Sequence, residues 1–321
     1  MYNGNNPVID VLVCTYRRPE LLNKTLVGIQ HCAEHVGSVR IIVVDNDAEH
    51  SALEVVERWN THAPVEVIYL AQPVQNISLT RNMALEHASA PWIALIDDDE
   101  VPDENWLSAL LETAKKYNAD IVFGPVIAQF GPAAPAWATT GMLFQRKRFA
   151  TGEAVPLRET RTGNVLLRGA RIAKDAFRFD PQLGLSGGED TEFFSRLAQS
   201  GYSMVWCDNA CVREWTPSSR TTLSWVTKRG FRIGSVEAYN LRRSARLGKL
   251  FLATGKILIL FGVGIASGII CSFFSQPRAV RELKRAAYAS GFLYGLINGP
   301  FEEYRKPEQS RTREIEAKAQ G

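Results

Sequence analysis

Residues 92–100 read Trp-Ile-Ala-Leu-Ile-Asp-Asp-Asp-Glu, an apolar run that stops on four carboxylates. Trp92 to Ile96 has the length and composition of a buried strand. Three consecutive aspartates directly after such a strand repel one another and are costly unless something positive offsets them. A divalent metal does this. Hard oxygen ligands at a strand end suit Mg²⁺ or Mn²⁺, with phosphate oxygens completing the shell. The competing reading is a solvated acidic turn that opens a helix around Asp103 to Lys115, because aspartate favours helix N-termini. A second aspartate, Asp45, at another strand end favours the metal.

Upstream, Val8 to Thr15 (VIDVLVCT) is a β-branched run followed by Tyr16-Arg17-Arg18-Pro19 and a helical pattern from Glu20 to Cys32. Val39 to Val44 ends in Asp45-Asn46-Asp47. A helix of about Ser51 to Trp59, a strand from Val65 to Leu70 and a helix with Arg81-Asn82 in its first turns lead back to Trp92. Strands alternating with helices indicate an α/β chain with a mostly parallel sheet covered on both faces. Ligands of such sheets bind beyond the carboxyl ends of the strands. Those ends carry Thr15-Tyr16-Arg17, Asp45-Asn46-Asp47 and Asp97–Asp99.

Downstream, the alternation stops after Asp120-Ile121-Val122-Phe123-Gly124. Residues 125–165 are rich in Pro, Gly, Ala and Thr, with a basic knot at Arg146-Lys147-Arg148, and read as an excursion or flexible loop over the sheet edge. Order resumes with Gly163-Asn164-Val165-Leu166-Leu167, then Phe179-Asp180, then Gly187-Gly188-Glu189-Asp190, which opens an amphipathic helix to Ser200. The carboxylates of Glu189 and Asp190 are either an ordinary complement to the helix dipole or a general base aimed into the cleft on a flexible Gly-Gly approach. No internal repeat is evident.

The chain has 321 residues, 45% apolar and 22% charged, which excludes disorder, collagen and coiled coil. Its net charge of +3 hides a division: residues 220–321 hold 18 basic and 7 acidic residues, and residues 1–219 hold 19 and 27. Within the basic part lies Ile257 to Ser275, 19 residues without a charge. As a helix it would be ~28 Å long against a ~30 Å hydrocarbon core. Arg242, Arg243, Arg246, Lys249 and Lys256 precede it; Arg278, Arg281, Lys284 and Arg285 follow, then a second apolar stretch, Ala286 to Ile297. Basic residues on both flanks fit a single span poorly. They fit a re-entrant or interfacial hairpin at an anionic leaflet better; the alternative is a buried core helix. Gly264-x-x-x-Gly268 is a candidate packing face. The uncharged interruption favours lipid over nucleic acid.

Five scattered cysteines (Cys14, Cys32, Cys207, Cys211, Cys271) argue against a disulfide framework and for a reducing compartment. No second pair or nearby histidine completes a zinc set with Cys207 and Cys211. His31 and His35 share a helical face in the pattern His-Cys-Ala-Glu-His, which lacks a zincin's glutamate beside the first histidine, and read as surface residues. The N-terminus shows no secretory signal pattern.

Taken in order, Cys14-Thr15-Tyr16-Arg17-Arg18-Pro19, Val43-Val44-Asp45-Asn46, Leu79-Thr80-Arg81-Asn82, Ile96-Asp97-Asp98-Asp99 and Gly187-Gly188-Glu189-Asp190 resemble a family 2 glycosyltransferase with the GT-A nucleotide-sugar fold. The resemblance covers about residues 7–215 and is similar in detail to bacterial exopolysaccharide glycosyltransferases of the succinoglycan type. Together with the charge division and the apolar stretch, it implies a catalytic domain at 1–220, a membrane-associated helical region at 221–300 and a polar tail at 301–321. It further implies an inverting hexosyltransferase at the cytoplasmic face of the bacterial inner membrane, using Mg²⁺ or Mn²⁺. Such an enzyme moves one sugar from a nucleotide-sugar, UDP-linked, to a lipid-linked oligosaccharide or polysaccharide. By the same resemblance Thr15, Tyr16 and Arg18 line the nucleotide pocket, Asp45 bonds the base, and Arg81 contacts base or diphosphate. Asp97 contacts the ribose, and with Asp99 supplies the metal ligands, while Asp98 positions either group. Asp190 is the catalytic base, and Glu189 shapes the site or binds acceptor. Processive synthases carry Gln-x-x-Arg-Trp behind the base. Here Ser224–Arg232 lacks it, which implies single-sugar addition, with Lys228, Arg229 or Arg232 able to reach the diphosphate, or else forming a membrane-facing basic helix.

Two other readings fit less well. A sugar-nucleotide nucleotidyltransferase needs a glycine-rich phosphate loop after the first strand, and Cys14–Leu21 has no glycine. A non-catalytic membrane-bound scaffold has no reason to keep Asp97, Asp99 and Asp190.

Overall fold

The computed structural model describes residues 8–62, 64–140, 143–244 and 247–303. Its first part is the alternation β1 (Ile9–Thr15), α1 (Pro19–Ala33), β2 (Val39–Asp45), α2 (Leu53–His62), β3 (Glu66–Ala71), α3 (Ile77–His87) and β4 (Trp92–Asp97). Local chemistry sets the ends. Pro19 opens α1, where its missing N–H costs nothing. Asn76 caps α3 by accepting from Leu79 N at 3.1 Å. Helix α2 begins later than its periodicity suggests, because Asp45 Oδ2 takes the N–H of Ala52 at 2.7 Å and holds that turn outside the helix. Helix α1 ends at Ala33, so His31 and His35 do not share a helical face; both are exposed.

The chain continues through β5 (Glu100–Pro102), α4 (Trp106–Lys116), β6 (Ile121–Phe123), β7 (Val126–Phe130), α5 (Ala136–Thr140), β8 (Val165–Arg168), α6 (Gly169–Lys174), α7 (Glu189–Gln199), β9 (Met204–Trp206) and β10 (Val212–Thr216). Seven strands form one sheet in the order β3-β2-β1-β4-β8-β6-β9. The first four are mutually parallel, and β8 runs antiparallel to both of its neighbours. Alternate residues of β2 serve opposite faces: Ile41 and Val43 join one core layer, Ile42 and Val44 the other. Burial on both faces is why these strands read as largely apolar runs, broken in β1 and β2 only by the paired Asp10 and Arg40.

From β1 the chain moves outward to β2 and β3, then returns to the other side of β1 as β4. That reversal opens a crevice beyond the carboxyl ends of β1 and β4. The register, Cys14 opposite Asp97 and Thr15 opposite Asp45, brings three quoted motifs to one edge.

Residues 125–165 are not only an excursion. Strand β7 pairs in parallel with β10, and β5 pairs antiparallel with β10, forming a second, three-stranded sheet that begins directly after the aspartates. Asn164 secures the turn into β7 by donating to Pro125 O (2.9 Å) and Ala210 O (2.7 Å) and accepting from Trp106 Nε1 (2.7 Å).

The chain divides into two compact units: residues up to Pro181 together with Glu189–Ser218, and Gln182–Gly188 together with the residues from Ser219 onward. The second unit contains α8 (Leu223–Ser244), α9 (Leu247–Ser272) and α10 (Gln276–Asn298). Helices α8 and α10 meet through paired glycines. A Cβ on Gly234 would lie 2.0 Å from Tyr288 O, and one on Gly291 would lie 1.9 Å from Phe231 O. Gly264 and Gly268 of α9 face α10 around Glu282 and Ala286, so the Gly-x-x-x-Gly pattern is a packing face within the chain. The second apolar stretch, 286–297, lies inside α10. Of the expected polar tail 301–321, residues 304–321 lie outside the described residues.

Candidate active site

The carboxyl end of β4 is organised by β1 and the turn that follows it. Thr15 Oγ1 donates to Asp98 Oδ2 at 2.8 Å. Arg18 Nη1 bridges Asp98 Oδ1 (3.1 Å) and Asp99 Oδ2 (3.0 Å). Thr25 Oγ1, on α1, contacts the carbonyls of Asp98 (3.0 Å) and Glu100 (2.7 Å). Asp98 and Asp99 are buried, whereas the Asp97 side chain is 46% exposed. Burial pushes the Asp98 carboxyl above its usual range, against the pull of Arg18.

Arg81 is the centre of the site. Its guanidinium is paired with Glu189, at the start of α7, and lies 3.8 Å from Asp97. The Phe179 ring lies 5.6 Å from the Arg81 guanidinium carbon. Burial opposes the Arg81 charge, but Glu189 and then Asp97 outweigh it and raise the pKa further. Burial also raises the Glu189 carboxyl; Arg81 opposes that rise and Asp190 adds to it. Glu189 Oε2 is buried without a hydrogen-bond partner among the described residues. Asp190 is half-buried, and its Oδ1 accepts from Thr191 N at 2.7 Å. Cys14 is pushed up to about 12 by burial, against the pull of Arg81, which favours the thiol over the thiolate.

Asp45, expected at the nucleotide base, and Arg17 both shape the loop after β2. Asp45 is fully buried; its carboxylate accepts from Asp47 N (3.1 Å), Ala52 N (2.7 Å) and Tyr69 Oη (3.2 Å), which shapes the loop after β2. Arg17, at φ +53°, ties that loop to β1 by binding Asp47 at 2.9 and 3.1 Å, and its guanidinium carbon lies 5.5 Å from the centroid of the Tyr16 ring. Arg232, one of three cations expected to reach the diphosphate, is buried within the helical unit. There Nη1 donates to Ser186 O at 2.9 Å and Nε pairs with Glu303 at 2.9 Å. Gly187 and Gly188 adopt φ of +78° and +89°, and a Cβ on Gly187 would lie 1.8 Å from Arg232 Nη1. The Gly-Gly step is therefore a required close approach.

Glu100 and Arg161 were given no role by the sequence. Glu100 is fully buried, and Asp97 N donates to its Oε2 at 3.2 Å; Oε1 has no hydrogen-bond partner among the described residues. Burial, then Asp97 and Glu214, raise its carboxyl well above the usual range. The Arg161 guanidinium donates to Glu159 O at 3.1 and 3.2 Å. Burial, aided by Arg146, pulls it down to about 10, while Asp190, Glu159 and Glu100 oppose the fall. Arg161 lies in the Pro/Gly/Thr-rich stretch, where no periodicity marks it. Glu100 was hidden by being the fourth of four acids.

The donor set suits a hard divalent cation in chemistry, since it consists of carboxylate oxygens. Asp97 Oδ2 and Glu100 Oε1 converge on the bare Cα of Gly163, where a Cβ would lie 3.0 and 2.6 Å from them. Among the described residues no three His, Cys, Asp or Glu side chains form a ready cage. A bound ion would thus take one or two carboxylates from the chain and complete its shell with phosphate and water, the usual habit of Mg²⁺.

Residues 10–170 match the family described as Glycosyl transferase family 2. The chain is 35% identical over 315 residues, 96% of its own length and 97% of the relative's, to the succinoglycan biosynthesis protein ExoM of Rhizobium meliloti (strain 1021). It is 24% identical over 202 residues, 62% of its length and 64% of the relative's, to the glycosyltransferase AglE of Haloferax volcanii. Among solved structures, the mannosyltransferase PcManGT of Pyrobaculum calidifontis, in complex with GDP-Man and Mn²⁺, superposes with a TM-score of 0.62 at 15% identity, covering 91% of this chain and 88% of that one. S. aureus TarS 1–349 in complex with UDP gives 0.53 at 13% identity, covering 89% and 90%. These likenesses show the GT-A fold, with its mixed, mostly parallel sheet flanked by helices. The chain belongs to glycosyl transferase family 2 and is a glycosyltransferase.

Proposed function

We propose that this glycosyltransferase transfers one sugar from a UDP-sugar to a lipid-linked oligosaccharide or polysaccharide acceptor, with inversion, in the synthesis of a cell-surface exopolysaccharide at the cytoplasmic face of the inner membrane. The similarity over nearly the full length to a succinoglycan biosynthesis protein supports a place in exopolysaccharide synthesis. The observation that carries the mechanism is Arg81, which joins Glu189 of α7 to Asp97 of β4. It couples the helix bearing the base to the strand end bearing the donor-side carboxylates.

In this reading Asp190 accepts the proton of the acceptor hydroxyl as its oxygen bonds to the anomeric carbon, and the bond to the nucleoside diphosphate breaks. Attack opposite the leaving group inverts the configuration. Thr15, Tyr16 and Arg18 bind the nucleotide, Arg18 exchanging Asp98 and Asp99 for phosphate oxygens. Asp98 orients that turn through Thr15. Asp97 and Asp99 would hold Mg²⁺ or Mn²⁺, which supplies neutralisation of the departing diphosphate. Glu189 keeps Arg81 fixed, and Arg81 keeps Asp97 in place. Residues 1–220 perform the transfer, 221–300 associate with the membrane, and 301–321 form the tail.

Asp190→Asn should lower turnover by roughly 10²–10⁴-fold while binding of UDP-sugar with Mn²⁺, followed by thermal shift, stays unchanged. Full turnover in that variant would remove Asp190 from the role of base. The same thermal-shift screen with GDP- and dTDP-sugars tests the nucleotide.

A further inference from the structure

Helix α9 contains the one stretch among the described residues that is long and apolar enough to cross a membrane, Leu252–Ser272, with a mean hydropathy of 1.9. At ~31 Å it matches a ~30 Å hydrocarbon core. Its packing partner argues against crossing. Gly264 abuts Ala286 N and Glu282 O, and Gly268 abuts Glu282, so residues 282–286 of α10 lie level with 264–268 of α9. With α9 centred on the bilayer at Gly262, that level falls ~3–9 Å from the midplane.

A crossing would therefore draw the start of α10 into hydrocarbon. Glu282 is buried there, accepting from Ser267 Oγ (3.2 Å) and Arg285 Nη1 (3.0 and 3.1 Å), with Arg281 Nε at 3.6 Å. One carboxylate cannot neutralise Arg278, Arg281, Lys284 and Arg285. The Arg281 and Arg285 side chains are also 55% and 54% exposed and would face lipid tails. A re-entrant loop fares no better, because its leading tip would carry Arg278 within a turn of Phe274.

We infer that α9 lies lengthwise in a single anionic leaflet, immersed along its axis, with Arg278, Arg281 and Arg285 of α10 at the phosphate level. The inference rests on the membrane reading proposed above and specifies its geometry. Leu252, Ile259, Val263 and Ile270 along α9, and Phe273 and Phe274 directly after its end, are all more than half exposed. An apolar surface continuous along a helix, beside a cationic neighbour that cannot be submerged, matches the boundary between headgroups and acyl chains. Charge selects the occupant: a second copy would bring the same arginines together, whereas phosphatidylglycerol supplies anions.

The test uses the full chain with its cysteines replaced, bound to vesicles of phosphatidylethanolamine and phosphatidylglycerol. Nitroxides are placed singly at 252, 259, 263, 270 and 273, and their depth is read from oxygen against nickel-chelate relaxation. One shallow depth at all five positions is expected. A maximum at the middle, or a steady deepening toward 273, overturns the lengthwise geometry but leaves membrane association standing. Immobilised labels in the absence of vesicles mean that a second copy covers α9, and overturn it too. No association with vesicles at low salt removes the membrane reading itself. Should the cysteine-free chain not fold, Arg278, Arg281 and Arg285→Gln together in the native chain should weaken binding to phosphatidylglycerol vesicles roughly a hundredfold and leave binding to phosphatidylcholine unchanged. Equal loss on both lipids overturns the proposal.

Discussion

The two ends of the seven-stranded sheet treat buried carboxylates in opposite ways. At the amino end of β1, Asp10 is fully buried and fully served: Arg40 donates at 2.8 and 2.9 Å, Ser89 N at 2.7 Å and Ala90 N at 2.8 Å. At the carboxyl end, burial raises the Asp98, Glu100 and Glu189 carboxyls above their usual range, and Glu100 and Glu189 each keep an oxygen without a hydrogen-bond partner among the described residues. The first arrangement stabilises the loop into β4. The second leaves charge and hydrogen-bonding capacity unspent, as expected where a charged ligand completes the set.

The largest effect should come from Arg81→Met. It strands Glu189 as a buried, unpaired carboxyl and releases Asp97 and α7, so turnover should fall at least a hundredfold and stability by about 3–5 kcal/mol. Asp10→Ala should cost about 1–3 kcal/mol by denaturant unfolding, since it leaves the N–H groups of Ser89 and Ala90 without their acceptor. Turnover per folded molecule should stay unchanged. A drop in turnover at full occupancy of the native state would break the contrast between the two ends. Arg18→Gln should reverse that pattern. The Arg18 side chain is 39% exposed, so its ion pairs carry at most about 1 kcal/mol after solvent screening. UDP-sugar affinity should nevertheless fall about tenfold, from loss of one charged contact. An unchanged Kd by calorimetry would confine Arg18 to structure.

These contrasts were unevenly legible in the sequence. β1, β2 and β4 are buried on both faces, so largely apolar runs ending in Thr15, Asp45 and Asp97 announced both the sheet and the edge where the polar motifs gather. The second sheet was not legible: β5 and β7 are three and five residues long and meet only through β10, about a hundred residues away. No local pattern encodes such a pairing. Side-chain duties were hidden for a related reason. Asp45 stands out as a strand-end carboxylate, but its bonds to the N–H of Ala52 and the Tyr69 hydroxyl could not be read there. Arg232 stands out as one of several cations, but its bonds to Ser186 and Glu303 could not be read there. Each partner is distant in sequence or undistinguished in type. The Gly-Gly step was legible as a feature, but its reason, the Arg232 guanidinium packed against Gly187, was not.

Glu100→Gln gives the smallest and most discriminating effect. Its carboxyl sits well above the usual range because burial, Asp97 and Glu214 all disfavour the charge. The folded chain therefore binds a proton that the unfolded chain releases near pH ~4.3. Between that pH and the raised folded value the native state holds more protons, so stability falls as pH rises. Glutamine never ionises, and its carbonyl can still accept from Asp97 N. The variant should match the parent below pH ~4 and exceed it at neutral pH by about 1 kcal/mol, with the downward slope between them flattened. Chelator-treated protein is the sample to use, so that no divalent ion competes for Asp97. A steeper slope in the variant would mean that Glu100 is ionised and served like Asp10, and the difference between the two ends of the sheet would disappear at its most buried residue.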